Sequence, residues 1–321
     1  MNSDQLITAL YESMGETCIT GTDVAHIEIH ANKVLNVHLV PGLEIDAEEL
    51  PDGIRAVMTV KKNVRIDQPV RLCFGLLDNS GIQKIDMRVR LEQGSRIAVL
   101  SSCTFPNAVE VVHTMDAEIE IGKGAEYLYL ERHVHGPEGG VHVIPKAKVY
   151  LDEGARFQTD FELVKGRVGK IDIDYDAECR SRSVLDMAAR ISGRADDRIT
   201  IHEKAHLMGE GALGVLRTNI AVRESARAEI KNTLIASAPY ARGHVDCKEI
   251  VQDKAIANAV PIVEVRHPKA HVTHEASIGS VDSKQLETLM ARGLTEDDAT
   301  DLIIEGLLSP DGRPGTGARN L

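Results

Sequence analysis

From Asp23 to about Ile278 the chain alternates apolar and polar residues with a period of two, in runs such as AHIEIHA, KVLNVHLV, DMRVRLEQGSRIAVL, AEIEIGKGAEYLYLE and KVYLDEGARFQTDFELV. This period belongs to strands that bury one face. No long helical pattern interrupts it, which argues against alternating βαβ units. Aromatic residues make up only 3% of the chain and Trp is absent, so the core must be built from Val, Ile, Leu and Ala. A corner phrase of polar residues closed by a small one recurs, ending at Ser95, Ala125, Ala155, Ala205, Ala226, Ala255 and Ala270. The steps between these positions are unequal and do not make one period. Many short strands with recurring corners and few aromatics fit a β-solenoid better than a β-sandwich.

The ends read as helices. Leu6, Ile7, Leu10, Tyr11 and Met14 have helical spacing, with Gly15 as the stop. At the other end, one helix is predicted over Ser283–Arg292, capped by Asp282 or Ser283 and stopped by Gly293. A second runs to Leu308 behind a Thr295/Asp298 cap and is expected to bury Ala299, Leu302, Ile303 and Leu307. The organisation expected is a helical segment over 1–22, a β-rich region over 23–280, a helical segment over 281–309 and a disordered tail over 310–321. A net charge of −12 argues against nucleic acid or an anionic membrane as partner. No apolar stretch approaches the ~20 residues of a membrane span, and the N-terminus lacks a signal-peptide pattern. Five widely spaced cysteines without a CxxC pair suggest free thiols in a reducing cytoplasm.

A solenoid places residues one coil apart on neighbouring strands. If the equal steps from Ser95 to Ala125 and from Ala125 to Ala155 are single coils, Cys103 and His133 are neighbours. That imidazole would favour the thiolate of Cys103 if the strand end in SSCTFP leaves the thiol reachable; spacing alone favours the alternative, a small buried hydrophobe. Cys247 precedes His274 and Glu275 by close to one such coil, which would gather a thiol, an imidazole and a carboxylate suited to a labile metal or iron–sulfur site. His133, His135 and His142 form a weaker metal candidate. HEKAH, His202 to His206, matches the zinc-protease pattern, but that chemistry needs a helix. Here the phrase sits among strand residues and reads as a β-turn with two surface histidines. Cys18, Cys73 and Cys179 read as small buried hydrophobes.

The stretch ARGHVDCKEIVQDKAIANAVPIVEVRHPKAHVTHEASIGSVDSKQLETLMARGLTEDDATDLIIEGLL closely resembles the C-terminal part of the SufB/SufD family, scaffold subunits of the SUF iron–sulfur cluster assembly system, and SSCTFP resembles a second family segment. The resemblance implies a right-handed parallel β-helix with flanking helices. It implies a non-enzymatic scaffold, SufB-like because Cys247 is present, that works with the ATPase SufC and passes a transient cluster to apo iron–sulfur proteins. Cys247 and Glu275 then correspond to cluster-binding positions, His274 to the histidine of the SufD branch, and Cys103 to a sulfur acceptor, with His133 beside it. SufC would dock on the last two helices, around Leu286, Leu289, Leu302 and Ile303. The chain is shorter than a typical bacterial SufB. It is expected to pair with itself as a homodimer, or with a SufB/SufD paralogue. A flavin has no support in the sequence. The alternative is a SufD-like structural subunit that ligates nothing; a β-helix enzyme would need a stripe of converging charged residues that the sequence lacks.

Overall fold

A computed structural model describes residues 1–18 and 24–309. The predicted tail at 310–321 and the last residues of the predicted N-terminal segment, 19–22, lie outside the described residues. Helix α1 (Ser3–Met14) precedes two antiparallel hairpins, β1 (His26–His30) with β2 (Lys33–His38) and β3 (Leu43–Leu50) with β4 (Gly53–Val60). The chain then winds through β5 (Val70–Gly75), β6 (Ser80–Leu91), β7 (Arg96–Phe105), β8 (Glu110–Ile121), β9 (Glu126–His135) and β10 (Val141–Leu151). It continues through β11 (Arg156–Lys165), β12 (Lys170–Cys179), β13 (Val184–Gly193), β14 (Arg198–Leu207) and β15 (Leu213–Val222). The last turns are β16 (Arg227–Ala236), β17 (Arg242–Val251), β18 (Ile256–Val265) and β19 (His271–Gly279), followed by α2 (Ser283–Met290) and α3 (Glu296–Leu308). The odd strands from β5 onward stack into one parallel sheet, the even strands from β4 into a second facing it. This is a parallel β-solenoid, as the alternation predicts, and the inward residues of both sheets share one aliphatic core.

One coil is the step between partners on successive strands of a sheet, and it is nearly constant. Arg96 pairs with Glu126, Arg156 with Val184, and Val184 with Leu213. The corner from the even to the odd sheet is a tight turn closed by a small residue at Ser95, Ala125, Ala155, Ser183, Ala212, Ala241 and Ala270. All of these but Ala270 have no exposed surface. They form a column in which any larger side chain would meet the coil above or below. The opposite corner closes at Asp197, Ala226 and Ala255. The phrase ending at Ala205 is no corner, since HEKAH lies inside β14.

Both terminal segments lie on the outer face of the odd sheet. Leu10, Tyr11 and Met14 of α1 pack around Cys73, and Tyr11 Oη donates to Glu28 Oε1 at 2.9 Å. Asn2 and Gln5 form a capping box and Gly15 closes the helix in the left-handed region, φ 73°. At the other end Asp282 caps α2 and Thr295 caps α3, as predicted. Helix α2 stops at Met290 rather than Arg292. The buried face of α3 is Ala299, Ile304 and Leu308, not the predicted Ala299, Leu302, Ile303 and Leu307. The reason is a clamp at its C-terminus. Arg190 Nη1 donates to the Leu308 carbonyl at 2.7 Å, and Asn219 Nδ2 to that of Leu307 at 3.1 Å. This rotation turns Ile304 and Leu308 onto Ala221 and leaves Leu302, Ile303 and Leu307 less deeply placed. The Arg190 guanidinium also holds Asp160 and Glu162 at 2.9 and 2.8 Å.

Ala155→Leu is expected to lower stability by about 1–3 kcal/mol through overpacking of the corner column, while Arg156→Leu, exposed at the next position, stays within about 0.5 kcal/mol; chemical denaturation compares them. Arg190→Ala is expected to free α3. Its amides should exchange hydrogen faster by an order of magnitude or more, with those of β11–β17 unchanged, as read by mass spectrometry.

Candidate functional site

Two groups of polar side chains interrupt the aliphatic lumen. The first is at the C-terminal end. Cys247 points inward from β17, with no exposed surface. It is in register with Thr218 on one side and Ala276 on the other. Asn232, from the facing sheet, donates to its sulfur at 3.8 Å and to Thr218 Oγ1 at 3.4 Å. Asn232 is itself in register with Glu203. Burial pushes the Cys247 thiol up to about 11, against the lowering effect of Thr218. Burial likewise holds Glu203 at about 8 and Glu249, with Asp246 beside it, at about 7.

Between β17 and β19 the register pairs Arg242 with His271, so His274 pairs with Val245 and Glu275 with Asp246. Val245 and Cys247 share the inward face, which puts His274 on the same face as the thiol, one strand on and two positions back. Glu275 lies on the opposite face. Both are exposed, because β19 is the last strand of its sheet. Within one chain the thiol and imidazole are therefore diagonal neighbours, while the carboxylate faces away.

The second group is near the N-terminal end. Cys103 and His133 are in register, as their spacing predicts. His113 faces them from β8, and one ligand atom from each of the three lies within 4.8 Å of the others. His133 Nε2 is 2.8 Å from Glu131 Oε1, and His133 Nδ1 is 3.3 Å from His135 Nε2. Cys103 is sealed rather than reachable, at 0% exposure. Its neighbouring imidazole does not favour the thiolate. Burial outweighs it, raising the Cys103 thiol well above its ordinary value and lowering His133 to about 3. Phe161 and Met187 fill the lumen between the two groups.

His133 and His135 do share a face, but an inward one; His142 points outward to Asp172 at 2.7 Å, so the three do not converge. In HEKAH, alternation turns His202 and His206 outward and Glu203 inward. Strand geometry thus separates the groups that a zinc protease needs on one face, and the predicted turn is a strand. Cys73 and Cys179 are buried as expected, and Cys18 is partly so. Sequence reasoning missed His113, Glu131, Glu203, Asn232 and Glu249. A signal for two of them was present: Glu131 occupies the inward parity of Tyr127, Tyr129 and His133, and Glu203 that of Ile199, Ile201 and Ala205.

Residues 78–307, nearly the whole solenoid and both C-terminal helices, match the SUF system FeS cluster assembly, SufBD core domain. The chain belongs to the SufBD family. It is 37% identical over 282 residues to an iron–sulfur cluster assembly SufBD family protein of Methanocaldococcus jannaschii, covering 88% of this chain and 89% of that one. A SufBD family protein of Pyrococcus horikoshii is 34% identical over 305 residues, 95% and 93% of the two chains. The iron–sulfur cluster assembly protein SufB of Bacillus subtilis is 20% identical over 259 residues, which span 78% of this chain and 54% of SufB. The SufBD relationship makes this an iron–sulfur cluster assembly protein. No helix among the described residues is long and apolar enough to cross a membrane.

The buried carboxylates of this SufBD chain set a pH dependence. Folded Glu203 keeps a proton that the unfolded chain releases above its ordinary 4.5, so stability is fullest below that value and is lost as pH rises to about 8. The buried imidazoles act in the opposite sense, but only below their ordinary value of 6.5. Tyr175 and Asn232 flank Glu203 on neighbouring rungs, and Cys247 faces it with Glu249 beyond the thiol. The denaturation midpoint is therefore expected to fall between pH 6.5 and 8. Glu203→Gln should remove about 1–2 kcal/mol of that fall; an unchanged slope would show that Glu203 is ionised in the folded chain.

Proposed function

We propose that this SufBD chain is a scaffold on which a nascent iron–sulfur cluster is assembled between two copies of the chain, before transfer to apo-proteins. The observation that carries the proposal is the position of Cys247 one rung from the open end of the solenoid, with His274 on the same face of the last strand. A thiolate and an imidazole are soft and borderline ligands for iron, and few protein ligands make the cargo easy to release. Glu275 lies on the other face of β19. In a two-chain site it would reach the cluster held by Cys247 of the other copy. The two ends of the solenoid differ in a way that supports pairing there. The N-terminal end is closed by antiparallel hairpins whose edge strand β3 carries Glu44, Glu48 and Glu49. Among the described residues, the C-terminal end leaves the edges of β18 and β19 unpaired, and there Val260, Val265 and Ile278, at 43, 50 and 48% exposure, stand beside the exposed His274 and Glu275.

In this proposal the ATPase SufC docks on α2 and α3, where Leu286, Leu289, Leu302 and Ile303 are half-buried and available. Arg190 links α3 to β11 and β13, so ATP-driven closure of SufC would act on the odd sheet and loosen the cover over Cys247. Cys103 is the proposed sulfur acceptor. Its sulfur bonds to the outer sulfur of a donor persulfide, the donor's S–S bond breaks, and the donor thiolate leaves. The thiol proton goes to the leaving donor thiolate, because both ring nitrogens of the buried His133 are engaged by Glu131 and His135. Movement of sulfur toward Cys247 needs the sheets to part at Phe161 and Met187. The setting is a reducing cytoplasm, which keeps these thiols free. The complete burial of Cys247 and the outward Glu275 favour the second reading, a SufD-like structural subunit without a cluster.

Anaerobic reconstitution with iron and sulfide separates the two. Cluster absorbance is expected in the wild type, at least tenfold weaker in Cys247→Ala, and reduced in His274→Ala and Glu275→Ala. Absorbance that survives Cys247→Ala would refute the assigned site. Light scattering of the chain with SufC should give two scaffold copies per complex; a single copy would refute the two-chain site.

A further inference from the structure

Cys103, His113 and His133 come from three strands on both sheets and converge in a dry lumen, each no more than 1% exposed. Neither ring nitrogen of His113 has a hydrogen-bond partner, and the second oxygen of Glu131 has none. A buried polar group without a partner costs roughly 1–3 kcal/mol. An apolar residue at position 113 would fill the space beside Phe105, whose ring centre is 5.0 Å from that of His113, without that cost. The imidazole is therefore unexplained by packing alone, and it points into a set of metal-ligating atoms.

The remaining hydrogen bonds define where the protons are. His135 Nδ1 is 2.9 Å from the Arg167 carbonyl, which can only accept, so His135 carries its proton there and Nε2 is a lone pair. His133 Nδ1–H donates to that lone pair. His133 Nε2 is then an acceptor, and the proton in its bond with Glu131 Oε1 belongs to Glu131. The metal-free group is thus wholly neutral: a thiol, three neutral imidazoles and a carboxylic acid. Exchange of the Cys103 and Glu131 protons for one divalent cation keeps the lumen neutral, since a thiolate and a carboxylate balance the charge of two. Isolated charge is what a dry interior penalises most, and this exchange introduces none.

We infer that Cys103, His113 and His133 form a buried binding site for one borderline divalent cation of the zinc and ferrous-iron class. Cys103 supplies a thiolate, and His113 and His133 one nitrogen each. Glu131 either takes the fourth position or orients His133 from behind, as carboxylates do for metal-bound histidines. The site holds as a metal thiolate a sulfur that the dry lumen otherwise keeps protonated. It is roughly 24 Å along the stack from Cys247, five strand spacings away, and it does not rest on the scaffold reading.

The test uses the full-length chain, unfolded with chelator and refolded with one equivalent of Zn2+, of Co2+, or anaerobically of Fe2+, then desalted. The wild type should retain one metal per chain. Cobalt should give the absorption of a tetrahedral thiolate-bearing site, and competition between Zn2+ and Fe2+ identifies the preferred ion. Cys247→Ala and the outward His142→Ala should keep the equivalent, while Cys103→Ala and His113→Leu should lose it. His113→Leu guards against a folding artefact. Without metal it should melt no lower than the wild type, because two unpaired nitrogens are gone, yet metal should raise only the wild-type Tm. A folded wild type that retains no metal, or metal content unchanged by both Cys103→Ala and His113→Leu, overturns the inference. An equivalent lost with Cys247→Ala would assign the metal to the other end and overturn it equally.

Discussion

A strand buries alternate residues, and a chain that alternates over most of its length with almost no aromatic side chains must find a partner face for every strand. Winding solves this with one repeated contact. Each strand hydrogen-bonds to those one coil before and after it and turns its apolar face to the opposite sheet. The whole structure depends on that contact staying in register, because a slip by a single position would turn an entire inward row toward solvent. The small residues at the corners enforce the register. From Ser95 to Ala241 they stack with no exposed surface, so neighbouring coils can approach only when their corners coincide.

The same contact sets the chemistry. Inward columns are dry, and dryness dominates every titratable group placed in one. It raises the thiols of Cys103 and Cys247, raises Glu131 and Glu203, and lowers His113, His133 and His135. Spacing in the sequence brings Cys103 and His133 together but says nothing of solvent, which is why proximity to an imidazole suggests a thiolate and the lumen gives a thiol. The two polar groups differ in their depth. The Cys103 group has complete coils on both sides, whereas Cys247 is covered on one side by β19 alone. Release of a bound cargo needs only β19 to move at the second place, whereas the first opens only if complete coils part.

The fold was legible because alternation is a local property that needs no knowledge of partners. The helix caps were legible for the same reason: Asp282 and Thr295 act within one turn of their own helices. The coil length was not, although its corner phrases stand out. Two different corners alternate along the chain, one closing at Ala125 and Ala155, the other at Ala226 and Ala255, and pooling them mixes two series. The corners at Ser183 and Ala241 are further disguised, because Arg182 and Tyr240 adopt the left-handed conformation that Gly124 and Gly154 supply elsewhere. The site was half legible. A full coil from Cys247 ends at Ala276, which leaves Glu275 one position short of register and His274 two. A single position decides the face, so His274 falls with Cys247 and Glu275 does not. The buried face of α3 was hidden because its rotation is set by Arg190 and Asn219, which lie far back in the chain from Leu308 and Leu307, rather than by its own pattern.

That last dependence joins the ends of the molecule to its middle. Helix α3 hangs on Arg190, and Arg190 is bonded to Asp160 and Glu162 one coil earlier, so a pull on α3 is applied to two adjacent strands of the odd sheet at once. Cys103 and Cys247 both point inward from that sheet, and α1 covers its outer face near Cys73. The even sheet carries neither helix. A force delivered through the C-terminal helices therefore enters the sheet that holds both cysteines, while the even sheet, with Asn232 and Glu203, serves as the fixed wall opposite. Stacked strands shear together more readily than one leaves the stack, since each interior strand has ladders on both sides. Strand β19 has a ladder on one side only. The other edge strand of the odd sheet, β2, lies at the far end of the stack, so β19 is the edge nearest α3 and the one that covers Cys247.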